Sequence, residues 1–395
     1  MSRRRDLVAV AAFCGLFGLA AWALYLHFFA GALGEGWMVY DNAVRSYFEG
    51  TLPLLYDGVR STAQLNTRFA AWLPQPLPLH PWLYPPHYLV LLLPFGLLPF
   101  AAAGVLFLVL GFGGMAAAGG LFVRDGGARG LFAGALLLCP ASALTVCIGQ
   151  NSFLTCALLL AGFGLVERRP VLGGALLGCL TYKPQLWLMV PVALVAGRQW
   201  RAAAAAVAAA LALSLLSVAT FGVEAWRDWI ALMTEPSTLY DQWSAIARLN
   251  GQSIYANAIL LGASVPTANL AQAAAVLVSA GCVWRCYRRP MPRDLGLAVL
   301  LAATMLAAPH VINYDAVLLG TAAALFFHHA YHHGSRPGDT AIALLAWASP
   351  LANPPSVFPV GLLTPPLIIL FMAWVMARGR HETARIAAGS VLNPA

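Results

Sequence analysis

Charge is what this chain lacks. Of its 395 residues only 10% are Asp, Glu, Lys or Arg, where a soluble domain carries about a quarter. So little charge cannot solvate the surface of a chain this long, which excludes an ordinary soluble globular protein. Lysine is all but missing: Lys183 is the only one, and arginine carries the remaining basic charge. Cysteine is sparse, and Cys14, Cys139, Cys147, Cys156, Cys179, Cys282 and Cys286 all lie in apolar segments. Their spacing fits neither a metal site nor a disulfide framework. No Gly-rich phosphate loop and no soluble α/β stretch is present, which excludes a nucleotide-sugar site. There is also no internal repeat, low-complexity linker or separate soluble domain.

What is there is apolar. Hydrophobic residues make up 60% of the chain and come in long blocks rather than at amphipathic spacing, so the bulk sits in a bilayer. A net charge of +8 would suggest nucleic acid in a soluble protein. Here the basic residues form short clusters between apolar blocks and report membrane orientation instead. The start, Met1-Ser-Arg-Arg-Arg-Asp6, precedes an apolar run from 7 to about 33. That run is too long for a signal peptide and lacks a small-residue cleavage site, so it reads as an uncleaved first span.

A hydrocarbon core of about 30 Å needs about 20 apolar residues per helix. Candidate blocks lie near 7–33, 87–123, 130–148, 151–166, 170–182, 184–197, 202–222, 259–284, 295–309, 314–333, 340–351 and 358–377. The block 87–123 is long enough for two helices broken around Pro94 and Pro99. Arginine clusters recur at every second loop: Arg3 to Arg5, Arg124/Arg129, Arg168/Arg169, Arg198/Arg201, Arg285 to Arg293, Arg336 and Arg378 to Arg385. If these are cytoplasmic, the opposite face receives loops 34–86 and 223–258 and the turns near Gly149, Lys183, His310 and Asn353. Both termini are then inside, and the span count is even, most simply twelve. Two crossings within 87–123 would invert everything downstream.

Polar side chains gather on that opposite face, where membrane-edge ionisable groups are functional candidates. After the first span, Trp37 to Gly50 contains Asp41, Arg45 and Glu49 at helical spacing. Asp41 is placed for a general base or, alternatively, for a helix cap. Tyr84-Pro85-Pro86-His87 reads as a helix start. Gly149-Gln150-Asn151-Ser152 is either a turn with an N-cap or a set of amides for sugar hydroxyls. Lys183, in a Tyr-Lys-Pro step, is a phosphate contact or a snorkelling span end. The loop with Trp226, Trp229, Tyr240, Trp243, Asn250, Gln252 and Tyr255 is an interfacial belt or a carbohydrate platform. Pro309-His310 to Asn313-Tyr314-Asp315 adds a His, an Asn and an Asp at a span end. His328, His329, His332 and His333 have metal-compatible spacing but no accompanying carboxylate or cysteine, and read as a polar helix end.

In order along the chain, Tyr40-Asp41, Tyr84-Pro85-Pro86, Gly149-Gln150-Asn151, Gly173-Gly174 to Gly178, Lys183-Pro184, Arg198 to Arg201, Asn250-Gly-Gln252-Ser253 and Pro309-His310 to Tyr314-Asp315 resemble glycosyltransferase family 87. The resemblance runs from about 35 to 320; the Gly-Gln-Asn turn and the Lys-Pro step are its most specific parts. It implies an all-α polytopic membrane protein with a GT-C glycosyltransferase fold of about 12 transmembrane helices. It further implies an active site on the extracytoplasmic face of the plasma (inner) membrane and a polyprenyl-phosphate sugar donor, mannose in the family. Asp41 then matches the catalytic acid of the first external loop. Lys183 and His310 would lie near the donor phosphate, with Arg45 and Arg68 as further cations. Tyr40, Gln150, Asn151, Asn250, Gln252, Tyr314 and Asp315 would line the sugar or the glycolipid or glycan acceptor. Neither a cofactor nor a metal is expected, since basic side chains can hold a lipid monophosphate. The acid stands alone as Tyr-Asp-Asn, unlike the paired acidic motif of some GT-C families. A polytopic transporter or flippase of a lipid-linked sugar is the competing reading; the absence of repeats argues against it.

Overall fold

The computed structural model describes residues 2–31, 33–234, 251–349 and 360–392. Tyr240, Trp243, Asn250 and the turn at Asn353 fall outside them. Among the described residues every regular element is helical apart from one isolated antiparallel bridge, Gly251 to Ile312.

The first helix, α1 (Ser2–Phe28), leads into α2 (Glu35–Phe48) and α3 (Gly58–Arg68). Paired prolines start α4 (Pro86–Leu92): Pro85 is extended and Pro86 takes the first helical position, where a missing N–H costs nothing. Pro94 and Pro99 then break the chain before α5 (Phe100–Gly119). The block 87–123 is thus one short helix and one of full span length. Next come α6 (Gly126–Leu137) and α7 (Pro140–Ile148), bent by 59° at Pro140. They are followed by α8 (Ser152–Leu165), α9 (Pro170–Cys179), α10 (Pro184–Trp187), α11 (Met189–Ala196), α12 (Trp200–Phe221) and α13 (Glu224–Thr234). The remainder is α14 (Ile254–Leu260), α15 (Val265–Arg288), α16 (Arg293–Ala307), α17 (Val317–His333), α18 (Asp339–Ala348) and α19 (Thr364–Leu392).

Among the described residues four helices are long and apolar enough to cross a membrane, within α1, α5, α12 and α15, or five if the bent α6–α7 pair is one span. Their outer faces carry exposed large hydrophobics such as Leu16, Val109, Leu211, Leu215 and Leu277, a surface that only lipid can cover. The further crossings expected from charge would have to rest on shorter helices. The clearest of these is α16, whose residues from Leu295 to Ala307 are all buried. At 15 residues it is about 22 Å long, less than a hydrocarbon core. It is enclosed by α15, α17 and α19, so it makes its hydrophobic contacts with protein rather than lipid.

The tightest helix pair is α9 with α12. Gly174 and Gly178 face Ala202 and Ala206, and a Cβ at either glycine would collide with backbone of the partner helix. This is the small-residue packing that lets membrane helices approach backbone to backbone.

Polar residues collect at two opposite poles. One is formed by α2, the ends of α7 and α9, and the starts of α4, α8 and α17. The other lies where α16 and α18 begin and α17 ends. There His329 sits between Asp294 at 2.7 Å and Glu382 at 2.6 Å, one on each ring nitrogen. A ring flanked by two carboxylates donates from both nitrogens and is therefore the imidazolium. Arg378 joins the network through Glu382 and Asp339. The expectation that the histidine cluster has no carboxylate company is thus corrected: the partners come from α16 and α19, far along the chain, where local spacing does not reveal them.

The seven cysteines are free, as expected.

Candidate active site

Asp41 lies within α2, past its first turn, so it is not a cap for the helix that follows. Three contacts fix this helix. The Gly34 N–H donates to Cys147 O at 2.7 Å, and Trp37 Nε1 donates to Phe100 O at 3.0 Å. Gly149 ends α7 in the left-handed region, φ +77°, where its bare Cα lets Trp37 pack against the turn.

The Asp41 carboxylate is 2% exposed. Its Oδ2 accepts from Arg45 Nε at 2.7 Å, one helical turn on. Its Oδ1 is buried with no hydrogen-bond partner among the described residues. Burial pushes the carboxyl above the usual carboxylate range, against the pull of the Arg45 hydrogen bond and charge and of the Arg68 charge. Arg68, at the end of α3, is engaged by Glu49 through two hydrogen bonds of 2.7 and 2.6 Å, and by Asn42 Oδ1 at 3.0 Å. The same Arg68 bonds hold the Glu49 carboxyl below its ordinary value.

Tyr40 points to the Gly149 turn and donates to Gln150 Oε1 at 2.6 Å. Its proton being committed there, the 2.9 Å contact with Tyr84 is one in which Tyr84 donates. Asn151 Nδ2 donates to Tyr88 OH at 3.0 Å, leaving Asn151 Oδ1 buried and unpartnered among the described residues. Tyr88 stacks on Tyr182 at 4.4 Å between ring centroids, and Tyr182 OH lies 2.8 Å from Thr155 Oγ1. The amides of the Gly-Gln-Asn turn thus face a box of Tyr40, Tyr84, Tyr88 and Tyr182.

Lys183 follows directly. It precedes Pro184, which bars the helical conformation and leaves Lys183 extended between α9 and α10, φ −118°, ψ 76°. Its Nζ pairs with Asp315 Oδ1 at 2.8 Å, both residues being 3% exposed, and lies 5.3 Å from the centre of the Tyr314 ring. Ser152, next to Asn151, donates to the same Asp315 oxygen at 3.2 Å. A continuous chain of contacts therefore runs from Asp41 and Tyr40 through Gln150, Asn151 and Ser152 to Asp315, Tyr314 and Lys183.

The loop ahead of Asp315 also receives the second large polar segment. Gly251 bridges Ile312, and the Gln252 N–H donates to Val311 O at 2.9 Å. The Gln252 side-chain amide is 2% exposed, and neither its O nor its N has a partner among the described residues. The Tyr255 and His310 rings meet edge to face at 6.4 Å. Arg68 stands apart from Lys183, held at the α2–α3 corner, while Asn250 lies outside the described residues.

Several participants carried no sequence signal beyond their type. Tyr88 and Thr155 lie in the apolar helices α4 and α8, whereas Ser152 and Tyr182 were visible only as members of the Gly-Gln-Asn-Ser turn and the Tyr-Lys-Pro step. Tyr84 and His87 were visible only as part of a helix start.

Among known proteins, the family model of glycosyltransferase family 87 matches residues 82–309. No curated protein and no solved structure matches the chain. The matched segment holds the tyrosine box apart from Tyr40, the Gly-Gln-Asn turn, Lys183 and Gln252; Asp41 precedes it, and His310, Tyr314 and Asp315 follow it. With more than half its length following that family over the segment that builds this site, the chain belongs to glycosyltransferase family 87, a family of membrane glycosyltransferases.

Proposed function

We propose that this enzyme transfers a hexose, mannose in the first instance, from a polyprenyl-phosphate donor to a lipid-linked or glycan acceptor, with Asp41 as the general base. The observation that carries the reading is the divided Asp41 carboxylate: one oxygen fixed by Arg45, the other buried and bare. A base must be held in place and still keep a lone pair for the incoming hydroxyl, and this geometry provides both. The phosphate leaves as a stable anion and needs charge stabilisation rather than a proton. Arg45, about a third exposed at 32%, has guanidinium surface left for that purpose. Lys183 and Arg68 are further cations, each already paired with a carboxylate, and His310, whose pKa burial lowers, would meet the phosphate as a neutral hydrogen-bond donor.

The reaction inverts the anomeric centre. A glycosyl-enzyme would need a second free carboxylate beside Asp41; of the acids at this pole, Glu49 is engaged by Arg68 and Asp315 by Lys183, while Glu35 opens α2 nearly two turns before Asp41. The bare amide oxygens of Asn151 and Gln252, together with Gln150 and Tyr40, line the sugar or acceptor. The chain is one membrane domain of GT-C type, 1–395, with external loops 34–86 and 223–258. It crosses the plasma membrane twelve times, with both termini cytoplasmic and the Asp41 pole outside, a reading supported by the arginine pattern with 87–123 crossing once.

The test is transfer of labelled sugar from polyprenyl-phosphate-mannose into membranes holding the host's own glycolipids. Wild type is expected to transfer, and folded Asp41→Asn to lose roughly 100- to 10,000-fold in kcat. An active, folded Asp41→Asn protein would remove Asp41 as the base.

A further inference from the structure

His87 is a buried titratable side chain at this pole that the mechanism leaves unused. It stands in the first turn of α4, one residue before Tyr88 of the tyrosine box, and is 4% exposed. Its Nε2 lies 3.3 Å from Thr181 Oγ1, two residues before Lys183. The Thr181 hydroxyl donates to Gly178 O at 2.7 Å, so its proton is spent and its oxygen can only accept from His87. Nε2 therefore carries the hydrogen, and in the neutral ring Nδ1 holds a bare lone pair. That Nδ1 is buried and has no partner among the described residues. One ring face is covered by Trp226 of α13, 5.7 Å between centroids and 17° from parallel, and Trp226 is itself anchored to Ser217 at 2.9 Å.

Buried polar atoms without partners are rare in native proteins. Those at this pole include four acceptors, Asp41 Oδ1, Asn151 Oδ1, Gln252 Oε1 and, by the tautomer argument, His87 Nδ1; Trp82 Nε1, beside Tyr40 and Tyr88, is a donor. A set of acceptors is complemented by a ligand rich in O–H donors. We propose that His87 is a further sugar-binding residue, its Nδ1 accepting a hydrogen bond from one hydroxyl of the transferred sugar. This rests on the functional reading above. Nδ1 is sealed from solvent in this arrangement, so the hydroxyl reaches it as the elements around α4 part to admit the donor.

The experiment measures kcat/KM of the full-length protein in lipid nanodiscs with polyprenyl-phosphate-mannose and its monodeoxy analogues. His87→Gln keeps an N–H for Thr181 but removes the Nδ1 lone pair, whereas His87→Asn places an amide oxygen near the Nδ1 position. Wild type is expected to lose roughly 10- to 100-fold on one deoxy donor. His87→Gln should lose a similar factor on the complete donor and nothing further on that analogue, while His87→Asn stays within a few-fold of wild type. Wild-type kcat/KM for His87→Gln, or an equal loss on every deoxy donor, overturns the inference and leaves the enzyme's function standing. Absence of transfer by wild type overturns both. Should His87→Gln fail to fold, His87→Phe, which keeps the stack on Trp226, is read by the same two outcomes.

Discussion

At Asp41 two opposing influences meet on one side chain. Burial favours the protonated acid, while Arg45, and more remotely Arg68, favour the carboxylate. Burial prevails, so the folded-state pKa lies above that of an exposed aspartate, and the base-competent form is lost as pH falls through that raised value. Activity should therefore show an acid limb above the usual carboxylate range. Arg45→Gln removes a charge that holds the proton off, and the limb of the kcat/KM profile should move to higher pH. A limb that stays in place in folded Arg45→Gln would show that Arg45 does not tune the base. Lys183 illustrates what one residue discloses in a sequence. As the only lysine it drew attention, but its partner Asp315 lies 132 positions away, and no local spacing connects the two.

The helices owe their placement to small residues and prolines, and these were the legible part of the fold. Pro85 and Pro86 start α4, and Pro94 and Pro99 break the long block that follows. The packing faces were less visible, because α9 and α12 are apolar on all sides and give no amphipathic stripe to read. Only the contact of Gly174 and Gly178 with Ala202 and Ala206 identifies the seam. Gly178→Leu should force α9 and α12 apart, at a cost of at least about 1–3 kcal/mol. Since α9 leads directly into Lys183, it should also lower transfer. A thermal midpoint in detergent equal to that of wild type would show that the seam tolerates a side chain. Crossing number was illegible for a related reason. Helix α16 is as hydrophobic as a span, yet it is wrapped by other helices, and composition alone does not distinguish protein from lipid as the covering.

Among the described residues, the buried ion pairs lie at two poles joined by an apolar body. At one pole α16, α17, α18 and α19 are tied by His329, Asp294, Glu382, Asp339 and Arg378. The other pole holds the site, where Lys183 is sealed in its pair with Asp315. The chain's only side-chain amine is thus a built-in reporter of the site. In the closed enzyme an amine-specific acylating reagent should modify nothing but the terminal amino group, and intact-mass spectrometry should count a single label. A second label would appear only in molecules whose Lys183–Asp315 pair has opened. Its rate of appearance would time that opening, with and without donor lipid, in unaltered protein and with no probe introduced.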